Sequence, residues 1–239
     1  MPETLEEFLM TRPPTAERPL LGQTILVVED SRFACEALRL ICQRSGARIR
    51  RADSLKSASR HLRTYRPGIV LIDVGLPDGS GLDLISDLAL AEPRINVIAA
   101  MSGDDTLESA AMKAGACTFL SKPLSSISAF QEAMLAQLPQ DARPTDLRPA
   151  TYDEVVPDRI AYRDDLSLAA DLLSDRPDQS TLAYVSAFLI GIAKSVADPD
   201  LESLARDAGA TTSSNVPFHE MLARLLNAVE TRPRTEQAV

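Results

Sequence analysis

Tryptophan is absent from the 239 residues, and aromatic side chains make up only 4% of them. Histidine is nearly as scarce, with His61 and His219 alone. Together with the three cysteines, Cys35, Cys42 and Cys117, they provide no paired spacing of the kind zinc requires. Cys35 and Cys42 fall two turns apart on one predicted helix, too far to bridge, so the thiols read as small core residues in a reducing compartment. Lysine and arginine number 25 against 34 acids, a net charge of −9. That excludes a global positive field for nucleic acid or an anionic membrane. Long apolar runs are missing too: the longest, Leu182 to Ala197, carries Tyr184, Lys194 and two serines, and is too short and polar to span a bilayer. The first residues, Met1 to Glu7, are acidic and lack the basic-then-apolar order of a secretion signal. The expectation is a cytoplasmic protein with no membrane partner.

What remains is ordinary globular composition, 45% hydrophobic and 25% charged, in a length suited to one large or two small domains. Residues 1–22 hold Pro2, Pro13, Pro14 and Pro19 and read as an arm. A regular alternation then begins. Thr24 to Val28 reads as a buried strand, and Ser31 to Ser45 as a helix with Ala34, Ala37, Leu38 and Ile41 on one face. Arg48 to Ala52 makes a polar edge strand, and Ser54 caps a helix to about Tyr65. Gly68 to Asp73 forms a third strand, followed by a helix over about Gly81 to Ala91. Ile95 to Ala100 is the fourth strand, and Asp104 or Asp105 opens a helix that stops at Gly115. Cys117 to Leu120 and Leu124 to Leu138 complete the series. Five strands alternating with five helices over 23–140 predict an α/β, doubly wound parallel sheet. A dinucleotide site would need a glycine-rich first turn, but here that turn is Glu29-Asp30-Ser31, which suits a cation.

The chemistry gathers at the carboxyl ends of these strands, where open α/β sheets bind ligands. Glu29 and Asp30 end the first, Asp73 the third, Ser102 follows the fourth, and Lys122-Pro123 the fifth. Three carboxylates on one edge repel unless a hard cation neutralises them, and magnesium suits oxygen ligands of this kind. A lysine and a hydroxyl beside them supply what a phosphoryl group needs, with Asp73 as nucleophile. The loop Val74-Gly75-Leu76-Pro77-Asp78-Gly79-Ser80-Gly81 lets a ligand approach the backbone.

Over about residues 23–140 this pattern resembles the receiver domain of two-component response regulators. Glu29-Asp30 matches the family's acidic pair, Asp73 with the loop through Gly81 its phosphoacceptor, Ser102 its Ser/Thr position, Phe119 its switch aromatic and Lys122-Pro123 its lysine with a following proline, a cis peptide in the family. The resemblance implies a flavodoxin-like strand order 2-1-3-4-5. It also implies Mg²⁺ on Asp30, Asp73 and the Gly75 carbonyl, with Glu29 acting through a water. Phosphoryl oxygens would go to Ser102, Lys122 and the amides of Val74 and Gly103, and the phosphodonor would be a histidine kinase or phosphotransfer protein. Gly75, where the family often has a polar side chain, offers nothing to steer a hydrolytic water. Ser102 and Phe119 would act as the switch, moving the face made by the fourth and fifth helices and the strand between them, where the C-terminal module is expected either to dock at rest or to join a second chain once phosphorylated. No enzymatic activity is expected beyond self-catalysed phosphoryl transfer and hydrolysis.

Residues 141–157 are proline-rich and read as a linker, 158–232 as an all-helical module and 233–239 as a tail. Four helices are marked by Leu166 to Leu173, Leu182 to Val196, Asp198 to Ala208 and Phe218 to Val229. From Ala150 onward there are fifteen acids and eight bases, a net of −7 against −2 for the preceding part. Lys194 is the only lysine there, so DNA binding is disfavoured, though Leu201 to Gly209 echoes the start of a helix-turn-helix. His219 lacks the lysine-glycine motif of phosphotransfer domains. The helix from Leu182 is apolar nearly all round, as a bundle's centre would be. A protein-interaction or dimerisation module is the expectation. The alternative is a transcription factor with an atypical helical DNA-binding domain.

Overall fold

A computed structural model describes residues 13–145, 153–175, 177–210 and 217–235. Its first half contains β1 (Thr24–Val28), α1 (Arg32–Ser45), β2 (Arg48–Ala52), α2 (Leu55–Thr64), β3 (Ile69–Asp73), α3 (Gly81–Leu90), β4 (Val97–Ser102), α4 (Glu108–Ala114), β5 (Thr118–Ser121) and α5 (Ile127–Gln137). The five strands are parallel in the order β2-β1-β3-β4-β5. This is the doubly wound sheet that the alternation predicts.

Local chemistry explains the framework. The aliphatic β3 and β4 are buried at every position, whereas β2, with three arginines, takes an edge. Alternate residues of the central strands supply two cores: Ile25, Val27, Ile69 and Leu71 face α1 and α5, while Leu26, Val28, Val70 and Ile72 face α2 and α3. Ser31, Ser54 and Ser126 cap α1, α2 and α5 with their hydroxyls. Gly46, at φ 84°, ends α1 in a left-handed conformation.

The second half forms α6 (Arg159–Ser174), α7 (Gln179–Ser195), α8 (Pro199–Gly209) and α9 (Phe218–Thr235). Asp158, Asp178 and Asp198 cap the first three, and Pro199 takes the first turn of α8, where its missing N–H costs nothing. Leu166, Leu173, Leu182, Leu189, Leu201, Leu225 and Val229 fill this module's core. Among the described residues no helix is long and apolar enough to cross a membrane.

Three expectations about the connections change. Part of the N-terminal arm is anchored: Leu20 is fully buried in the sheet's core, and its amide donates to the Ser45 carbonyl at 2.9 Å. Residues 1–12 lie outside the described residues. The end of the linker is also held, because Glu154 bridges Ser126 and Val155 is buried against α5. Thirdly, the module does not sit on the face of α4, β5 and α5. It packs α6 along α1 and lays α7 across the carboxyl edge of the sheet. The reason lies in α7, which carries two stripes. Leu182, Val185, Leu189 and Ile192 point into the module, while Tyr184, Phe188, Gly191 and Lys194 recur at the same helical spacing on another side and meet the first half. The apolar breadth of α7 therefore serves both the centre of the module and a second docking face. The segment 211–216, part of the helix-turn-helix echo, lies outside the described residues.

Candidate functional site

Because β1 and β3 are adjacent and in register (Val28 opposite Ile72), Glu29 and Asp30, which follow β1, and Asp73, which ends β3, emerge side by side. One oxygen from each lies within 4.8 Å of the others, and all three residues are buried. β5 brings Lys122 to the same edge. Its Nζ lies 2.5 Å from Glu29 Oε2 and 3.0 Å from Asp73 Oδ2. The Lys122–Pro123 peptide is cis.

One lysine among three carboxylates leaves an acidic excess in a nearly dry site. Burial, joined by the Asp73 and Asp30 charges, pushes Glu29 up to about 8 despite Lys122. Burial likewise pushes Asp30 up to about 6, opposed mainly by a hydrogen bond from Tyr184. Burial alone would discharge Lys122, but Asp73 and Glu29 outweigh it and hold the ammonium charged. Asp30 Oδ1 is buried with no hydrogen-bond partner among the described residues. An orphaned oxygen beside two further carboxylates is a donor set that fits a hard divalent cation.

The loop after β3 depends on Gly81. A Cβ there would stand 2.0 Å from the Asp73 carbonyl oxygen, and the Gly81 amide donates to the Val74 carbonyl at 2.9 Å. The Val74 amide donates to the Met101 carbonyl at 3.0 Å, so this expected phosphate donor is engaged within the sheet. Gly75 is exposed and lines the same cavity as Asp73. Ser102 ends β4, 7% exposed, and its hydroxyl accepts from the Asp104 amide at 3.1 Å. Gly103 follows at the rim. Phe119 pairs with Ala100 and Ser121 with Ser102, so Ser102 and Phe119 lie diagonally on one sheet face, with Phe119 half-buried.

Sequence reasoning missed the residues that come from the module. Tyr184 donates its hydroxyl to Asp30, and burial with the Asp30 charge raises its pKa, so the phenol keeps its proton. Lys194 donates to the Gly103 carbonyl. Asp165, 1% exposed, accepts from the Ser31 hydroxyl at 2.7 Å and from the amides of Arg32 and Phe33 at 2.8 and 3.0 Å. A cavity of about 410 Å³ lies between the halves, lined by Asp73, Ser102 and Lys122 below and by Phe188, Gly191 and Lys194 above. The available signal was weak: Phe33, an aromatic beside a helix cap, is four residues from Ala37 and so lies at the edge of the apolar face of α1, where spacing alone does not show which half it packs in.

Comparison with known proteins bears on the first half alone. The response regulator receiver domain model matches residues 25–133. The KDP operon transcriptional regulatory protein KdpE of Escherichia coli (strain K12) is 31% identical over 99 residues, 41% of this chain and 44% of that protein. The chemotaxis protein CheY of Thermotoga maritima is 28% identical over 105 residues, 43% of this chain and 88% of that protein. The crystal structure of the receiver domain of NtrX from Brucella abortus is similar at 24% identity and a TM-score of 0.44, covering 48% of this chain and 97% of that one. The match thus spans less than half the length of KdpE and none of the helical module. It is the first half that has a known kind: residues 25–133 are a response regulator receiver domain.

Proposed function

We propose that this chain is a response regulator in which Asp73 accepts a phosphoryl group and thereby switches its C-terminal helical module. The observation that carries the reading is the placement of Lys122 on both Asp73 and Glu29, with Asp30 beside them. A carboxylate oxygen of Asp73 attacks the phosphorus of a phosphohistidine on a kinase or phosphotransfer protein. The P–N bond breaks, and the histidine leaves with its electron pair. Lys122 moves its charge from the carboxylates to a phosphoryl oxygen, and Ser102 donates a hydrogen bond from its hydroxyl to another. Asp30, Asp73 and the Gly75 carbonyl would hold magnesium, with Glu29 behind a water, and the cation supplies charge neutralisation for the transferring group. With Ser102 drawn inward, Phe119 has room to turn toward the space beside β4. Among the described residues of the helical module nothing suggests a second catalytic centre, and its role is protein interaction or self-association.

Acetyl phosphate or beryllofluoride with Mg²⁺ should occupy Asp73, and Asp73→Asn should abolish uptake. Undiminished labelling of the Asn variant would refute the assignment. A second reading, a DNA-binding output, is favoured by the names of the matched relatives, which include transcriptional regulators. The net charge of −7 beyond Ala150 opposes it. Salt-dependent retention of the full chain on duplex DNA, with and without beryllofluoride, decides between the two.

A further inference from the structure

The face of the receiver that must meet a cation and a phosphodonor is already occupied by the chain's own module. Four contacts surround Asp73. The Asp165 carboxylate sits on the N-terminus of α1, taking two amides that have no acceptor inside the helix. Phe33, 7% exposed, leaves the receiver's cores and packs in the module's, its ring 6.0 Å from Tyr162 in an edge-to-face pair. Tyr184 stands on an oxygen of Asp30. Lys194 holds the Gly103 carbonyl, where the two backbones approach so closely that a Cβ on Gly103 would be 3.3 Å from Gly191 Cα.

We propose that residues 159–195 form a latch on the phosphoacceptor pocket, and that this latch competes with the divalent cation and with a protein phosphodonor for the pocket's mouth. The inference rests on the reading of Asp73 as phosphoacceptor. Two physical arguments support it. Magnesium keeps several waters when it binds one or two carboxylates, and the Tyr184 hydroxyl sits on Asp30 Oδ2, beside the unpartnered Oδ1 that would take the cation, in the space that water shell needs. A histidine presented on a helix of roughly 10–12 Å diameter cannot enter a cavity of about 410 Å³ roofed by Phe188, Gly191 and Lys194. Acetyl phosphate, a few heavy atoms in size, can. Small donors therefore reach Asp73 with the latch closed, and protein donors only after it opens. By linkage the coupling is reciprocal: loading the site loosens the module, and loosening the module tightens cation binding by the same factor.

The latch can be read directly, because the amides of Arg32 and Phe33 donate to Asp165 across the interface. Their hydrogen exchange reports docking. The experiment uses the full chain as wild type, Tyr184→Phe and Asp165→Ala, titrated with Mg²⁺ by calorimetry. Beryllofluoride occupancy is followed by fluorine NMR, and exchange at residues 32 and 33 by amide NMR. Tyr184→Phe keeps the ring and removes one hydroxyl, so it tests the latch even if Asp165→Ala disturbs the module's fold. Both variants should bind Mg²⁺ about tenfold more tightly, the scale of one hydrogen bond to a charged group. Wild-type exchange at Arg32 and Phe33 should accelerate at least as much when beryllofluoride is bound. Wild-type-like Mg²⁺ affinity in Tyr184→Phe, or unchanged exchange with beryllofluoride visibly bound, overturns the latch. If none of the three proteins takes up beryllofluoride, the phosphoacceptor reading fails instead. The Mg²⁺ titration then decides the latch alone, tighter binding in Tyr184→Phe sustaining it and equal binding refuting it.

Discussion

Substituting Gly81 by alanine should damage both the fold and the site, whereas the same change at Gly75, six residues earlier in one loop, should be silent. The added methyl at position 81 would lie 2.0 Å from the Asp73 carbonyl oxygen, 2.9 Å from its carbon and 3.0 Å from Ile72 Cγ2. A carbon–oxygen contact of this type normally settles near 3.3 Å, so the methyl is roughly 1 Å too close. The atoms in the way are backbone, so no rotamer change relieves the overlap. Either the Asp73 peptide or the first turn of α3 must move. The hydrogen bonds from Gly81 to Val74 and from Val74 to Met101, 2.9 and 3.0 Å long, resist both motions. The cost should fall at the top of the overpacking range, about 3 kcal/mol. A shift of Asp73 by about 1 Å should also slow phosphorylation by about a hundredfold. At Gly75 the added methyl meets nothing within 4 Å. That variant should stay within about 0.5 kcal/mol of the wild type. Urea denaturation and the rate of acetyl phosphate labelling measure both effects. A Gly81→Ala protein of wild-type stability and labelling rate would refute the argument, as would equal losses in the two variants.

Further outcomes are expected elsewhere. Lys122→Ala removes the cation from a buried cluster of three carboxylates, and should destabilise the chain by about 3 kcal/mol in EDTA. Added Mg²⁺ should then raise its melting temperature more than it raises the wild type's; an unchanged melting point in EDTA would contradict the pairing. Ser186 is 1% exposed and its hydroxyl has no hydrogen-bond partner among the described residues. Ser186→Ala should therefore be neutral or stabilising by about 1 kcal/mol in thermal melts, and a clear loss would reveal a partner for the hydroxyl. The hydrogen bond from Arg232 holds Asp198 below the usual carboxylate range, helped by the Leu201 amide. A carboxylate lowered in the folded state stabilises above its unfolded value near 4 and loses that contribution as pH falls through the lower folded value. Wild-type stability should thus drop relative to Asp198→Asn on acidification below about pH 4. Parallel urea midpoints from pH 6 to pH 2 would show otherwise.

The sequence by itself determined the receiver fold and the sheet edge where its acidic cluster lies. Strand burial is local: Ile69 to Ile72 can only be a strand covered on both faces, and Arg48 to Arg51 can only be an edge. Right-handed crossovers then bring the residues that end the strands to one side, so Glu29, Asp30, Asp73, Ser102 and Lys122 converge without knowledge of any side-chain contact. The four helices of the second half were legible for the same reason, from the spacing of Leu182, Val185, Leu189 and Ile192. Tertiary structure alone decided what covers the site. Tyr184, Phe188, Gly191 and Lys194 repeat at the helical period, but that period shows only that they share a face. Whether the face meets solvent, a second chain or the receiver depends on where α6 docks, and docking rests on contacts between residues more than a hundred positions apart, such as Asp165 with Ser31 and Tyr184 with Asp30. The Val74 amide carries the same lesson at shorter range. Its family role suggested a free donor, and only the pairing of β3 with β4 commits it to Met101. Periodicity records which residues travel together along one helix or strand; the partner surface is set by packing free energy summed over both halves, which no local stretch contains.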